Sequence, residues 1–498
     1  MTVPQLPVEL IYEIVSWCAN SPGQPTLRNL CLVSWRFRHV VQPLLLQSVV
    51  LGNFTTVVKK KAAQLNALSA QACRPALHAR SLRIDLGGIF DSACERIVGG
   101  DEQIQLTLKV KPAIQAFRRV DKVLWTLCDV NKEPPWTQYA VIDALRTSKP
   151  KELVITVSED AVTPTIGSLS DVHRLSVDYR GSYSAAKDVL QYGVARLASK
   201  SPNMTHLEIA SRTCSFEVSS IFNILNSDNP MPLPLEYLGV FGSWVDPSVF
   251  SSPSVLRHLQ RLRSIALYEN GKAGNLRNSS TSIWDTFQQE NITLRSISTD
   301  SGSALGDAFV NYLSSFHGLQ RLQLGLSAEQ TDTPNPEALL NCLITQHAPS
   351  LLELKVATQK SPQWMWPFSE EMKSRVSGLT RLTDFGVTLC VANDEQAEND
   401  VEAAVHSLID YADSLPNLEE LLIYQSGVVS QEGYSRYQRF HHPPTRVNEP
   451  VIAFKSVHRA IGSFRSKGLS NAAYRIVVHD SVYARRPNAE GTFSFVLI

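Results

Sequence analysis

The six residues LQRLQL at 319–324 show an apolar-x-x-apolar-x-apolar pattern that returns along much of the chain. The last two apolar residues of the pattern lie two positions apart, so in a strand both point to the same face. Successive copies start 25 to 36 residues apart. The copies are VHRLSV at 172, MTHLEI at 204, LEYLGV at 235, LRSIAL at 262, LRSIST at 294, LQRLQL at 319, LLELKV at 351, LTDFGV at 382 and LEELLI at 418. The sequence therefore predicts a series of equivalent strands.

Helical patterns fill the segments between these strands, as in DAFVNYLSSF at 307–316 and NPEALLNCLITQHA at 335–348. One strand and one helix cannot enclose a core, but stacked copies can. We therefore predict an α/β solenoid of parallel strands and intervening helices over residues 151–430. Weaker copies at 79–86 and 150–157 place linker helices and degenerate repeats in 51–150, where the repeat number stays open. An ordinary α/β domain with parallel strands is the alternative.

The repeats resemble leucine-rich repeats, which implies parallel strands on a concave face and helices on a convex face. Two of them continue to the ninth position of that family's pattern, with Asn270 and Cys390. Most other copies have Ser, Arg or Gln there, so the repeats are irregular, and they are most similar to those of a large fungal group.

Composition excludes several classes of function. Lys plus Arg and Asp plus Glu number 47 each, so no global charge favours nucleic acid or an anionic membrane as a partner. The eight cysteines are scattered without zinc-ligand spacing, and no apolar run suits a signal peptide or a membrane span. We expect a soluble protein of the cytoplasm or nucleus, without metal or cofactor.

The N-terminus is unusually apolar for its length. LPVELIYEIVSW at 6–17 predicts a first helix, and LRNLCLVSWRFRHVV at 27–41 predicts a second. Residues 1–50, expected to form three short helices in all, are too few to bury all these side chains, so we expect another protein or the repeats to cover some of them.

This N-terminal pattern resembles the F-box, through which substrate receptors of cullin-based ubiquitin ligases bind the Skp adaptor. The resemblance covers residues 4–50, and Phe37 stands at the family's usual tryptophan position while Trp35 stands at its usual lysine. It implies a non-enzymatic receptor that joins the Skp adaptor and cullin scaffold to a protein target. The implied adaptor-binding residues are Leu6, Pro7, Leu10, Ile14, Leu30, Val33, Trp35 and Phe37. The alternative is a repeat scaffold that these helices only cap.

Catalytic patterns are weak. Ser184-Ala-Ala-Lys187 and Ser227-Asp-Asn match two elements of penicillin-recognising enzymes, but the third element is missing, so a hydrolase is a minor alternative. His441 and His442 have no partner ligands at metal-binding spacing, which favours a turn.

Residues that alternate outward on the strands are candidates for target recognition, because aromatic side chains beside charges are typical of protein interfaces. The alternative is that the aromatic residues only cover strand edges. Residues 431–498 are expected to be a loop and a capping element of the solenoid, with the loop ending near 450 and terminal strands in AAYRIVVHD at 472–480 and GTFSFVLI at 491–498. The target-binding candidates are Asp178, Tyr179, Glu208, Phe241, Tyr268, Glu269, Arg321 and Tyr424.

Overall fold

A computed structural model describes most of the chain, which forms two compact units, a first unit, Met1–Pro234, and a second unit, Leu235–Ile498. The described residues are 7–20, 24–52, 58–70, 75–86, 100–127, 135–158, 165–180, 187–211, 218–228, 231–242, 247–268, 282–299, 305–326, 335–358, 364–366, 370–389, 397–425, 451–465, 474–479, 481–487 and 493–498. Asn270 and Cys390 lie outside these ranges.

The first unit opens with three helices, α1 (Val8–Asn20), α2 (Gln24–Val33) and α3 (Trp35–Leu45). The single helix predicted over 27–41 is therefore wrong, because the chain is broken at Ser34. Ser34 has extended backbone angles, φ −159° and ψ 164°, and its hydroxyl accepts a hydrogen bond from the Phe37 amide at 3.3 Å. Such a side-chain acceptor is a normal start for a new helix.

The rest of the first unit alternates strands and helices. Its strands are β1 (Ser48–Gly52), β2 (Ser81–Asp85), β3 (Lys122–Leu127), β4 (Glu152–Val157), β5 (Arg174–Tyr179) and β6 (His206–Ser211), and each pairs in parallel with the next. Its helices are α4 (Val58–Ser69), α5 (Pro75–His78), α6 (Gly100–Gln115), α7 (Pro135–Ser148), α8 (Val194–Ser199) and α9 (Val218–Asp228). A π-helical segment, Lys187–Gly193, leads into α8, and a short 3₁₀ turn spans Ile166–Ser168. β1 follows α3 directly, and β2 and β3 lie within 51–150, so in the described residues the alternation begins close behind the N-terminal helices.

The second unit continues the same alternation. Its strands are β7 (Tyr237–Phe241), β8 (Ser264–Tyr268), β9 (Ser296–Thr299), β10 (Arg321–Leu326), β11 (Glu353–Thr358), β12 (Met365–Trp366), β13 (Asp384–Leu389), β14 (Glu420–Gln425), β15 (Arg475–Val478), β16 (Ser481–Pro487) and β17 (Phe493–Leu497). Its helices are α10 (Pro253–Leu259), α11 (Ile283–Gln289), α12 (Asp307–Ser314), α13 (Pro336–Cys342), α14 (Glu370–Ser377), α15 (Ala397–Ala412) and α16 (Val451–Ser463). A 3₁₀ turn, Pro247–Ser251, precedes α10, and a π-helical segment, Leu343–His347, follows α13.

All nine copies of the apolar pattern are strands, and those that pair within a unit do so in parallel and in register. In β10 and β11, for example, Leu322 lies opposite Leu354 and Leu324 opposite Val356. These side chains are 0–4% exposed and form the core face of the sheet. The opposite face, here called the outer face, carries the alternating residues, such as Arg321 and Gln323. This arrangement of parallel strands and intervening helices is consistent with a solenoid-like repeat.

Neighbouring repeats are also joined along one row of backbone groups, here called the amino edge because it lies where the strands begin. The carbonyl of Arg263 accepts from the amides of Arg295 and Ser296 at 2.6 and 3.1 Å. The carbonyl of Arg295 in turn accepts from the amides of Gln320 and Arg321 at 2.8 and 3.0 Å. The same arrangement, one carbonyl that accepts from two successive amides of the next repeat, recurs along both units. The accepting carbonyls are those of Gln320, Leu352 and Thr383 in the second unit and of Gln47, Arg80, Lys151 and His173 in the first.

The second unit ends in antiparallel strands. The pairing of β15 with β14 is parallel, whereas β16 pairs antiparallel with both β15 and β17. The sequence predicted β15 and β17 but missed β16, because its residues 481–487 include two arginines and a proline. The predicted loop over 431–450, including His441 and His442, lies outside the described residues.

Candidate protein-interaction surfaces

The three N-terminal helices enclose a small core of their own. Its buried members come only from these helices: Ile11, Val15, Cys18, Leu27, Phe37, Val40 and Val41. Leu30 packs against this core and is partly buried, and Phe37 is only 8% exposed. The prediction that Phe37 offers an adaptor-contacting surface is therefore wrong. The helix break at Ser34 starts α3 in a phase that turns Phe37, Val40 and Val41 inward.

Other apolar side chains of these helices remain exposed. Leu10 and Ile14 lie one turn apart on α1 and are 43% and 36% exposed. Val33 and Trp35, on either side of Ser34, are 66% and 73% exposed, and the Arg36 guanidinium lies 5.8 Å from the centre of the Trp35 ring. Val8, Tyr12 and Leu32 are exposed as well, and so is Pro7. Of the predicted adaptor-binding residues, only Leu6 lies outside the described residues.

The aromatic candidates for target binding are buried. Tyr179 is 1% exposed and lies on the core face, since it follows Leu175 and Val177 at two-residue spacing. Its assignment to the outer face is wrong for that reason. Phe241, Tyr268 and Tyr424 do lie on the outer face, yet they are only 4–8% exposed.

Contacts on the outer face explain that burial in part. The rings of Phe241 and Tyr268 stack with centroids 5.1 Å apart and planes inclined by 10°. Tyr424 packs in a small apolar cluster with Ala357, Leu422 and Val477. A Cβ at Gly386 would lie 3.0 Å from Tyr424 Cε2, so the missing side chain makes room for the Tyr424 ring. The aromatic residues Phe241, Tyr268 and Tyr424 therefore pack within this face.

The charged candidates make local contacts. Arg180 donates two hydrogen bonds to Asp178 Oδ2, at 3.0 and 2.6 Å, and Ser176 donates one to Glu208 at 2.9 Å. Arg321 is exposed, with its Nε 3.7 Å from Glu353 Oε2. Glu269 lies outside the described residues.

A chain of side-chain hydrogen bonds crosses four strands of the second unit's outer face, β8 to β11, and the sequence analysis missed it. The Tyr268 hydroxyl bonds to the Ser298 hydroxyl, which donates to Gln323 Oε1 at 2.9 Å. The Gln323 amide donates to Glu353 Oε1. We call this row, with Lys355 at its end, the polar ladder. Ser298 lies opposite Gln323 in the strand register, a relation that only an alignment of the repeats against one another would have revealed.

Lys355 closes the polar ladder with an ion pair. Its Nζ lies 2.8 Å from Glu353 Oε1 and 3.8 Å from Asp384 Oδ1, and the side chains of Lys355 and Glu353 are only 13% and 11% exposed. Burial alone would raise the pKa of Glu353. The charge of Lys355, hydrogen bonds from Lys355 and Gln323, and the charge of Arg321 outweigh that effect and lower this pKa. Glu353 is therefore an ionised carboxylate held in a nearly buried site.

Chemistry of other kinds finds little support. Among the described residues no group of His, Cys, Asp and Glu side chains could hold a metal ion, and no helix in those ranges is long and apolar enough to cross a membrane. Ser184 lies outside the described residues, as does the side chain of Lys187. Ser227 donates to the Ile224 carbonyl at 2.8 Å, a bond within helix α9.

Comparisons with known proteins leave the family open. No protein-family model matches the chain, and no curated protein matches it at a significant level. Among solved structures, the chain is similar to a yeast complex of Rad7 and Elc1, with 10% sequence identity and a TM-score of 0.35. That similarity covers 85% of this chain and 90% of the other. A TM-score of this size carries no argument about function, which must come from the chain's own residues.

Proposed function

We propose that the chain is a non-catalytic substrate receptor of an SCF-type cullin-RING ubiquitin ligase in the cytoplasm or nucleus. The three N-terminal helices would bind the Skp adaptor, which connects them to the cullin scaffold. The repeats would bind the protein to be ubiquitinated. No cofactor is needed for this role, because the receptor only brings a target close to the catalytic subunits.

The observation that carries the proposal is the contrast within the three N-terminal helices. They complete a core of seven buried side chains and still leave Leu10, Ile14, Val33 and Trp35 in contact with solvent. Exposed apolar groups of this size at one small unit are typical of a protein-binding surface. A cap that only sealed the repeats would instead place its apolar residues against the first strands.

The test is adaptor binding by the full chain with a single charge placed in this surface. Val33→Asp should reduce capture of the purified Skp adaptor about tenfold or more, because an unpaired carboxylate would be desolvated at the interface. Leu108→Asp is a matched control. Leu108 lies on α6 and is 66% exposed, the same exposed fraction as Val33, and its replacement should leave capture unchanged.

Phe37→Ala serves as a second comparison. Because Phe37 lies inside the small helical core, its truncation should destabilise the three helices and weaken adaptor binding indirectly. If the wild-type chain does not capture the adaptor at all, the proposal fails and the chain is a repeat scaffold.

A further inference from the structure

The second unit carries an unusual group of arginines where β8, β9 and β10 begin. The tetrapeptide Leu-Arg-Ser-Ile occurs at 262–265 and again at 294–297, and the next strand starts with Arg321. Arg261 stands just ahead of the first copy. These four arginines, with Ser264 and Ser296, are here called the arginine edge.

Strand register brings the two tetrapeptides side by side. Ser264 lies opposite Ser296, and Ser296 lies opposite Arg321. The Arg295 amide donates to the Arg263 carbonyl at 2.6 Å, so these two arginines are direct neighbours. Adjacent strands are about 4.8 Å apart, so the guanidinium groups arise from a row about 10 Å long.

The backbone beneath these side chains is held firmly. The Tyr312 hydroxyl donates to the Ile292 carbonyl at 2.8 Å and accepts from the Leu294 amide at 3.2 Å, directly before Arg295. Tyr312 itself is 1% exposed. The Arg263 amide donates to the Glu236 carbonyl at 2.9 Å. The row is thus preorganised at the level of the main chain.

The side chains above that backbone are free. The side chains of Arg261, Arg263 and Arg295 are exposed and make no hydrogen bond or ion pair in the described part of the chain. The hydroxyls of Ser264 and Ser296 likewise have no partner there. Elsewhere on the surface cations are often paired, as Lys149 is with Asp171 at 2.8 Å.

Acidic residues bound the arginine edge on both sides. Glu236 stands at the equivalent position before β7, and Glu353 on β11 lies 3.7 Å from Arg321. The positive charge is therefore confined to about three strands of a chain with zero net charge. A nucleic acid backbone would require a longer run of cations than this.

We propose that the arginine edge binds an acidic, carboxylate-rich segment of a partner protein. Each guanidinium is a planar fork of donors that matches a carboxylate, and the two serine hydroxyls add further donors. Because the arginines are spread along the edge, separate carboxylates suit them better than one point charge. The inference rests on the proposed function only in identifying that partner as a ligase target.

The experiment measures fluorescence anisotropy of a labelled alternating Glu-Gly peptide with the full chain, without adaptor. The alternating Gln-Gly peptide is the uncharged counterpart. The wild-type chain should bind the Glu-Gly peptide, more weakly as salt is added, and should not bind the Gln-Gly peptide. Changing Arg263→Ser together with Arg295→Ser should weaken binding about tenfold or more, since two charge-assisted contacts are lost.

Two further variants control for charge and folding. Arg118→Ser with Arg119→Ser removes the same charge from two exposed arginines before β3, and should change affinity less than about twofold. Arg263→Lys with Arg295→Lys keeps the charge but removes the forks, and should weaken binding about threefold to tenfold.

Several results would overturn the proposal. The first is equal affinity for the Glu-Gly and Gln-Gly peptides. The second is a loss of affinity in the Arg118/Arg119 variant as large as in the Arg263/Arg295 variant. The third is affinity more than about tenfold higher for a charge-matched phosphoserine-Gly peptide or single-stranded DNA than for the Glu-Gly peptide. Failure here would leave adaptor capture by the N-terminal helices intact, and loss of adaptor capture would leave this peptide binding intact.

Discussion

Lys355→Met should destabilise the second unit far more than an ordinary ion-pair deletion. Methionine keeps the length of the side chain but removes the ammonium that lies 2.8 Å from Glu353. Removing one partner of a buried ion pair costs about 3–5 kcal/mol. The hydrogen bond from Gln323 would still stabilise the Glu353 carboxylate, so the expected loss of stability is about 2–3 kcal/mol. The measurement is the free energy of unfolding in urea.

Lys122→Met is the matched control for that change. Lys122 pairs with Glu152 across neighbouring strands at 2.5 Å, but these side chains are 38% and 27% exposed. Solvent screens such a pair, so its loss should cost less than about 1 kcal/mol. Adding Glu353→Gln to Lys355→Met should recover part of the stability, because no unpaired buried charge remains. The reasoning is refuted if Lys355→Met costs no more than Lys122→Met, or if the double variant is the least stable.

Acid gives a second measure of the same ion pair. The pKa of Glu353 is lowered in the folded chain from 4.5, so its contribution to stability is complete above that value and is lost as pH falls through the folded pKa. Without Lys355 the raising effect of burial should prevail. The Lys355→Met variant should then lose stability at a higher pH than the wild type, which urea unfolding at successive pH values would detect.

Three other changes test the fold. The Leu322 side chain is fully buried, so Leu322→Ala should lower the free energy of unfolding by about 2–4 kcal/mol. Hydrogen exchange should rise first in the neighbouring strands β9 and β11. An even rise from residue 80 to 430 would contradict a repeat held by contacts between neighbours. Burial and the charge of Arg257 lower the pKa of His258 from 6.5 to about 4, so the free energy of unfolding should fall as pH drops from 6.5 toward 4. In the His258→Gln variant, urea unfolding at successive pH values should show a smaller decrease over this range. Tyr474→Phe, which removes the 2.9 Å bond to Asp413 Oδ1, should lower the thermal midpoint by an amount equivalent to about 1–2 kcal/mol, and an unchanged midpoint would show that the bond adds nothing.

Sequence periodicity predicted the strands well because the apolar side chains of a strand must face the same side of the sheet. Leu322 and Leu324 must face one side of a strand, and only two-residue spacing achieves this. The same rule, applied with care, would have placed Tyr179 on the core face beside Val177. Helix phase was harder to predict, since the buried position of Phe37 depends on a break at Ser34 that a single serine hydroxyl stabilises.

The side-chain hydrogen bonds that join one repeat to the next could not be predicted from each copy of the pattern taken alone. The bond from Ser298 to Gln323 links residues 25 positions apart, whereas that from Gln323 to Glu353 links residues 30 apart. With so uneven a spacing, no fixed period in the sequence relates these positions. An alignment of the copies at 294 and 319 does place Ser298 opposite Gln323. The bond from Gln323 to Glu353 is diagonal to the strand register, and it depends on side-chain packing in the folded sheet.

The amino edge has a consequence for how such a chain can change over evolution. Within each unit, most described junctions join one repeat to the next there by one carbonyl and two amides, and proline is the only residue that lacks the amide. The side chains at these positions can therefore be replaced without loss of the links, and the present ones include Arg263, Gln320, Leu352 and Thr383. Substitutions along this row can therefore change the surface side chains with little loss of folding stability. Proline is the exception at the donor positions, because it has no amide hydrogen to donate.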